Sequence, residues 1–286
     1  MNSQTIFALA SGGGKAGVAV YRVSGSNAKD AYRALTGTDL PAARRAQRVR
    51  ITGGGDTGLI DHGLALWFPA PNSFTGEDVA EFHLHGGRAV HGVMLDALAA
   101  QPEMRPAEPG EFTRRAFENG KMDLTEAEGL ADLVEAETAA QRTQALRQMD
   151  GGLSLVYDRW RDALLAVIAK FEAEIDFSDE DLPGGLRAEV SEAVASLDAE
   201  LARHLDDHRG QRLRDGVSIA ILGPPNAGKS SLLNQLANRD LAIVSARAGT
   251  TRDVIETHLD LAGYPVVLAD TAGLRDAEDE LEDEGV

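Results

Sequence analysis

The chain has 286 residues, enough for two or three domains, and its 43% hydrophobic content is that of a globular protein able to bury a core. It holds no cysteine, which excludes disulfides, zinc–thiolate sites, iron–sulfur clusters and a cysteine nucleophile within these residues. The net charge is −18, yet residues 1–121 carry 13 basic and 12 acidic side chains, so the acidic excess belongs to the remainder and the chain cannot grip a nucleic-acid backbone over its whole surface.

The first ten residues lack the basic start and long apolar run of a secretory signal. No stretch approaches the roughly 20 apolar residues that span a bilayer, so a soluble, cytoplasmic protein with no membrane partner is expected. Residues 1–120 read as α+β. Val18–Val23 is a short apolar run, and Ser26–Leu35 has helical character stopped by Gly37. Arg44, Arg45, Arg48 and Arg50 form a local basic run: either the candidate RNA contact or a solvated strand or loop edge. Asp61–Phe68 and Val79–Leu84 read as strands flanking a turn-rich segment, and Ala89–Ala100 repeats its apolar residues at helical spacing. His83 and His85 share one strand face, but two ligands without a third favour a structural role over a metal site.

Residues 121–214 read as helical. Thr125 and Glu128 have capping-box spacing, Leu130, Leu133 and Val134 follow as an apolar stripe, and Gly151–Gly152 ends that segment. Leu153, Val156, Trp160, Leu164, Val167, Ile168, Phe171 and Ile175 mark an amphipathic helix, and Val190, Val194, Leu197, Leu201 and Leu205 another; both stripes are expected to form bundle core. Residues 215–286 read as α/β. Val217–Leu222 has the pattern of a buried strand and runs into Gly223–Ser230, which matches G-x-x-x-x-G-K-S/T, followed by a helical SLLNQLA.

This order suits phosphate chemistry. Glycines let the backbone wrap a phosphate, and the amides of Asn226, Ala227, Gly228, Lys229, Ser230 and Ser231 open a helix, whose start favours an anion. Lys229 brings a point charge to the outer phosphates, and the Ser230 hydroxyl is a ligand for Mg²⁺. About twenty residues on, Gly249-Thr250-Thr251-Arg252-Asp253 supplies a threonine for Mg²⁺ and the γ-phosphate. Pro265–Asp270 reads as a strand delivering the D-x-x-G turn Asp270-Thr271-Ala272-Gly273. Leu274 stands where Ras-like enzymes carry a water-orienting glutamine, so another group must orient water or hydrolysis is slow. Glu278, Glu280, Glu282 and Glu284 follow, and chemistry alone does not choose among them.

The quoted motifs, together with VAVYRVSG, PNSFTGEDVAEFHLHGG and RPAEPGEFTRRAFENGKMDLTEAEGLADL, resemble the MnmE (TrmE) family of tRNA-modification GTPases over essentially the whole chain. The resemblance implies an N-terminal folate-binding and dimerisation domain (1–120), a helical domain (121–214) and a P-loop G domain (215–286). It implies K⁺-dependent GTP hydrolysis by a homodimer that, with the FAD-dependent partner MnmG (GidA), builds an aminomethyl-type group on the wobble uridine of tRNAs. It assigns Arg22, Glu81 and Lys121 to a 5-formyl-tetrahydrofolate-type donor, as ion-pair and N–H acceptor groups. It assigns K⁺ to Asn226, Ser245, Thr250 and the carbonyl of Arg247, within the covering loop Ser245-Ala246-Arg247-Ala248-Gly249-Thr250, and the water-orienting role to Glu282, and it agrees with the Mg²⁺ roles that the motif chemistry gives Ser230 and Thr251.

Pro224 and Ser11–Lys15 depart from the family's usual residues without touching these roles. The chain stops at Val286 and has no N-K-x-D guanine-reading motif, so guanine specificity comes from the resemblance alone. It reads as a truncated chain, and the rival expectation is a folate-binding dimerisation module whose partial G domain is inactive.

Overall fold

A computed structural model describes residues 4–53, 58–176, 186–221, 228, 232, 235, 242–243 and 256–269. Its contacts divide the chain into two units, residues 1–127 and 128–286.

In the first unit, β1 (Thr5–Leu9), β2 (Ala16–Ser24), β3 (Gln47–Thr52), β4 (Leu59–Phe68), β5 (Val79–Gly86) and β6 (Met104–Pro106) form one sheet in the order β3-β4-β5-β2-β1-β6. Every pairing is antiparallel except β1 with β6. Alternation along the strands sets its faces. Ala19, Tyr21 and Val23 of β2 and Ala80, Phe82 and Leu84 of β5 are buried beneath α1 (Ala28–Thr36) and α2 (Arg88–Ala99), joined by Tyr32, Leu35, Met94 and Leu98. Each fully buried side chain of this size contributes about 1.5–3 kcal/mol. The intervening residues Val18, Val20, Arg22, Glu81 and His83 lie on the opposite face, and α3 (Glu111–Glu118) follows β6. Helix α1 ends where Gly37 turns left-handed (φ 65°) and returns its amide to the Arg33 carbonyl, as its position after the apolar run predicts.

The second unit opens with helices. The stretch expected as one segment is two, α4 (Leu124–Glu135) and α5 (Ala139–Met149). Thr138 caps α5 in a reciprocal box with Gln141, satisfying amides at a new helix start. Gly129 lets α4 approach α5 closely: a Cβ there would stand 2.8 Å from the Met149 nitrogen. Val134, expected in the buried stripe, is 80% exposed. The α4 cap also differs from the sequence expectation. Asp123, not Thr125, accepts the Glu126 amide (2.8 Å), and Glu126, not Glu128, returns its carboxylate to the Asp123 amide (2.8 Å). The box sits two residues earlier because a carboxylate at the helix start is at least as good an acceptor as a hydroxyl and gains from the helix dipole.

Helices α6 (Ser154–Asp176) and α7 (Leu186–Leu205) lie antiparallel, as the Arg159–Glu200 (3.5 Å) and Lys170–Glu189 (3.0 Å) pairs show. Their contact buries Val167 and Val190 but leaves Ile168, Phe171 and Val194 exposed, so two helices cover only part of stripes expected to form bundle core. After α8 (Arg209–Asp215), β7 (Val217–Ala220), β8 (Ala242–Ile243), β9 (Glu256–Leu261) and β10 (Tyr264–Ala269) form a sheet ordered β7-β10-β9-β8. Leu259, Val266 and Leu268 are its buried centre.

The cap assignment predicts that Asp123→Ala destabilises the protein by about 1 kcal/mol, and that Thr125→Ala costs clearly less. Chemical denaturation of both variants would test it; a larger loss at Thr125 would restore the later helix start.

Candidate functional sites

The β2–β5 register sets Arg22 directly beside Glu81 on the face away from α1 and α2. Arg22 Nε donates to Glu81 Oε1 at 2.9 Å, and His83 Nε2 stands 3.5 Å from Glu81 Oε2. The guanidinium of Arg22 lies 5.1 Å from the centre of the Phe74 ring and 5.6 Å from that of Phe112. Among the described residues only Nε of Arg22 is engaged, so its terminal nitrogens remain as a fork for a carboxylate. Glu81 can also accept from ligand N–H groups. This set of an arginine fork, an acceptor carboxylate and two rings fits a flat, N–H-bearing, anionic ligand.

Lys121 joins the site through the loop that carries Phe74. Its ammonium donates to the Pro71 carbonyl at 3.0 Å, rather than to Glu81, and its stem packs on Gly76. Gly76 is left-handed (φ 78°), and a Cβ there would meet Asn119 Cβ at 3.0 Å, so a side chain would force the loop off its seat.

That loop is fastened to α3 by a polar network that sequence reasoning missed. Glu111, 2% exposed, receives both terminal nitrogens of Arg105 (2.6 and 2.7 Å), Nη2 of Arg115 (2.9 Å) and the Glu108 amide (2.9 Å). Arg115 reaches on to both oxygens of Glu77 (3.1 Å each), and Ser24 donates to Glu77 at 2.6 Å. Thr75 stands 2.7 Å from the Ser24 hydroxyl, and its carbonyl accepts from Asn119 at 2.7 Å. The Arg105 hydrogen bonds, against the opposing effect of burial, hold the Glu111 carboxyl down to about 2. The network sets Phe74, on the loop, and Phe112, on α3, beside Arg22. His85 is paired with Asp61 at 3.0 Å and His83 with Glu81. Among the described residues, no three His, Cys, Asp or Glu side chains gather as metal ligands.

In the second unit, β7 and β10 are parallel and in register to Ala220 and Ala269, while Glu256 of β9 also faces Ala269. The segments that follow Ala220, precede Glu256 and follow Ala269 therefore all leave from the same end of the strands. They carry, in order, G-x-x-x-x-G-K-S, G-T-T-R-D and D-x-x-G. Of the predicted nucleotide and cation residues, Gly228 alone is described: it has φ 86°, and its carbonyl accepts from the Leu232 amide at 2.9 Å, the spacing of a helix turn. Residues 226–227, 229–231, 245–251, 270–273 and 282 lie outside the described residues. A cavity of about 560 Å³ near Asp132, Glu137, Arg214 and His258 contains none of the predicted site residues; of the groups that line it, Arg214 pairs with Asp132 at 3.0 Å and His258 stands 3.6 Å from Glu137.

The parallel β7–β10 pair, with the motif order at one end of the strands, defines an α/β domain of the P-loop class that follows, in chain order, an α+β domain and a helical region. Residues 5–121 match the family described as GTP-binding protein TrmE N-terminus, and residues 124–283 match the MnmE helical domain. The chain belongs to the MnmE (TrmE) family. It is 62% identical to the tRNA modification GTPase MnmE of Paramagnetospirillum magneticum and 59% identical to that of Parvibaculum lavamentivorans, each over 99% of this chain. It is 57% identical, again over 99% of the chain, to the mitochondrial 5-taurinomethyluridine-(tRNA) synthase subunit GTPB3 of Danio rerio. The chain spans 64%, 65% and 57% of the lengths of these relatives.

The network makes a stability prediction. Glu111→Gln leaves two guanidiniums short of their shared carboxylate and should destabilise the protein by about 3–5 kcal/mol. In the parent the contribution of this carboxylate is complete above its unfolded pKa of 4.5 and is lost as pH falls toward about 2, a window worth about 3 kcal/mol. Denaturation midpoints from pH 7 to pH 2 would test it; a variant as stable as the parent, or with the same acid dependence, would show that Glu111 holds nothing together.

Proposed function

We propose that this protein is a K⁺-dependent GTP hydrolase that works as a homodimer in tRNA wobble-uridine modification, with an FAD-dependent partner of the MnmG type. Support comes first from the common end of the strands from which the three phosphate-binding segments leave, and then from relatives at 62% and 59% identity that are tRNA modification GTPases. The aminomethyl-type product and the cytoplasmic setting follow from the same kinship. Among the described residues no helix is long and apolar enough to cross a membrane.

The proposed roles follow the chemistry of the donors. Backbone amides of residues 226–231 and the Lys229 ammonium hold the phosphates. Ser230 and Thr251 offer hydroxyl oxygens, and Asp270 a carboxylate, on the side of Mg²⁺. Asn226, Ser245, Thr250 and the carbonyl of Arg247 offer the hard oxygens that suit K⁺, while Ala246, Ala248 and Gly249 complete the covering loop. The two cations supply positive charge against the phosphoryl oxygens when bound. Thr271, Ala272 and Gly273 carry the turn that senses the γ-phosphate, and Glu282 orients the water that attacks it, giving GDP and phosphate. The Arg22 fork takes the carboxylates of a 5-formyl-tetrahydrofolate-type donor, Glu81 its N–H groups, and Lys121 adds a cation at the loop.

GTP turnover in KCl against NaCl tests the hydrolase. Turnover should be markedly higher in KCl, and equal rates would remove the K⁺ assignment. Lys229→Ala should weaken nucleotide binding by about 100-fold, and Glu282→Ala should keep binding but slow hydrolysis by about 10²–10⁴. Unchanged binding in the first, or unchanged turnover in the second, would displace that residue from its role. Separately, Arg22→Ala should weaken 5-formyl-tetrahydrofolate by about 10- to 100-fold by calorimetry; unaltered affinity would return Arg22 to a purely structural ion pair.

A further inference from the structure

One basic feature is not absorbed by this function. Arg44, Arg45, Arg48 and Arg50 lie in a stretch with no acidic residue between Asp39 and Asp56, in a chain of net charge −18. They sit at or just before β3, one of the two edge strands of the first sheet. Arg48 and Arg50 alternate with buried Val49 and Ile51, so both project from the face opposite α1 and α2. Their cross-strand neighbours are Leu64 and His62, both exposed, so no carboxylate stands directly opposite them in the strand pairing. Among the described residues Arg45, Arg48 and Arg50 hold no ion pair, as is also true of the isolated Arg88, whereas Arg22, Arg33, Arg105, Arg114 and Arg115 of the same unit each hold an acid.

Arg44 extends the strip toward the loop of the Arg22 site. Its Nη2 donates to the Asn72 carbonyl at 2.6 Å, and its guanidinium stands 5.8 Å from the Phe68 ring centre. The next carbonyl back along the chain, that of Pro71, accepts from Lys121. Two cations are therefore fixed on adjacent residues of the loop that bears Phe74, and a run of unpaired arginines leads away from them along the sheet edge.

We propose that this β3 edge binds the phosphate backbone of RNA, with Arg45, Arg48 and Arg50 on phosphates and Arg44 holding the strip to the loop. The inference rests on the tRNA reading above and gives that RNA a place on the protein. Arginines two apart on a strand repeat at about 6.6 Å, the scale of successive phosphates along a polynucleotide. Charged residues also protect sheet edges from pairing, but one cation suffices for that, and protection does not require a stretch free of acids.

The test is tRNA binding by the full chain across a range of KCl concentrations, with Arg45→Gln, Arg48→Gln and Arg50→Gln combined and singly. Each lost phosphate contact should reduce the slope of log K against log salt by about 0.7–0.9, so the triple variant should lose about 2–3 and bind at least about tenfold more weakly. GTP turnover, which uses none of these residues, should stay at the parent level, and 5-formyl-tetrahydrofolate affinity at the Arg22 site of the same unit reports its folding; if the triple variant folds poorly, the single variants carry the slope test. Parental affinity and slope in the variants would overturn the proposal and leave edge protection alone. Arginine-dependent binding to phosphatidylglycerol vesicles in preference to tRNA would overturn RNA as the occupant. A parent that turns over GTP yet binds no tRNA at any salt would overturn this proposal together with the tRNA reading beneath it.

Discussion

The first unit depends on one buried carboxylate held between guanidiniums. Glu111 sits at the start of α3, where a negative charge is favoured by the helix dipole, and it is 2% exposed. A lone carboxylate in that position would shed its charge. Arg105, from β6, and Arg115, one turn along α3, keep it ionised. Once it is fixed, Arg115 is fixed, and Arg115 in turn holds Glu77, Ser24 and Thr75. The consequence at the other end of the chain of contacts is an arginine, Arg22, set between a carboxylate and two rings. A buried ionic network of this kind is weak evidence for extra stability, since apolar packing can do as well. What it provides here is placement: strand, loop and helix meet in one geometry.

This explains how two sequence segments far apart in the chain act as one. PNSFTGEDVAEFHLHGG contributes Phe74, Thr75, Gly76, Glu77 and Glu81; RPAEPGEFTRRAFENGK contributes Arg105, Glu111, Phe112, Arg115, Asn119 and Lys121. Only a minority of these side chains face the Arg22 site. The others bond one segment to the other, so a motif identified with binding is in large part the mounting for the binding groups.

How much was legible in the sequence follows from which forces were local. The strands β2, β4 and β5 and the helices α1 and α2 bury apolar residues at regular spacing, and the pattern marks them. Helix α3 escaped notice because its buried face is made by Glu111 and Arg115 with Ala116, which hydrophobic patterning scores as surface. The three-residue strand β6 exists only because β1 pairs with it. The second helix start, at Thr138, had a visible signal in Thr138-x-x-Gln141 that the longer apolar stripe concealed. In the candidate site, the contact of Arg22 with Glu81 depends on the register of β2 with β5 across 59 residues, which no local pattern encodes. The phosphate motifs were the reverse case: their chemistry is written in consecutive residues, and what the fold adds is the common end of the strands from which they leave.

The arginines of the first unit divide by what holds them. Arg105 and Arg115 have their charges consumed by buried acids and serve architecture. Arg22 is intermediate, with one nitrogen spent on Glu81 and the rest of the fork in reserve. Among the described residues Arg45, Arg48 and Arg50 hold no ion pair. An ion pair satisfied within the protein offers little to a ligand, because a partner must first displace it and then repay the desolvation of both groups. An unpaired guanidinium on a solvated edge carries no such penalty, and each counterion it releases on meeting a phosphate favours binding. The surface most able to hold an anionic polymer is therefore the one that the fold has left without internal partners, and in this unit that surface begins at β3 and ends at the loop beside Arg22.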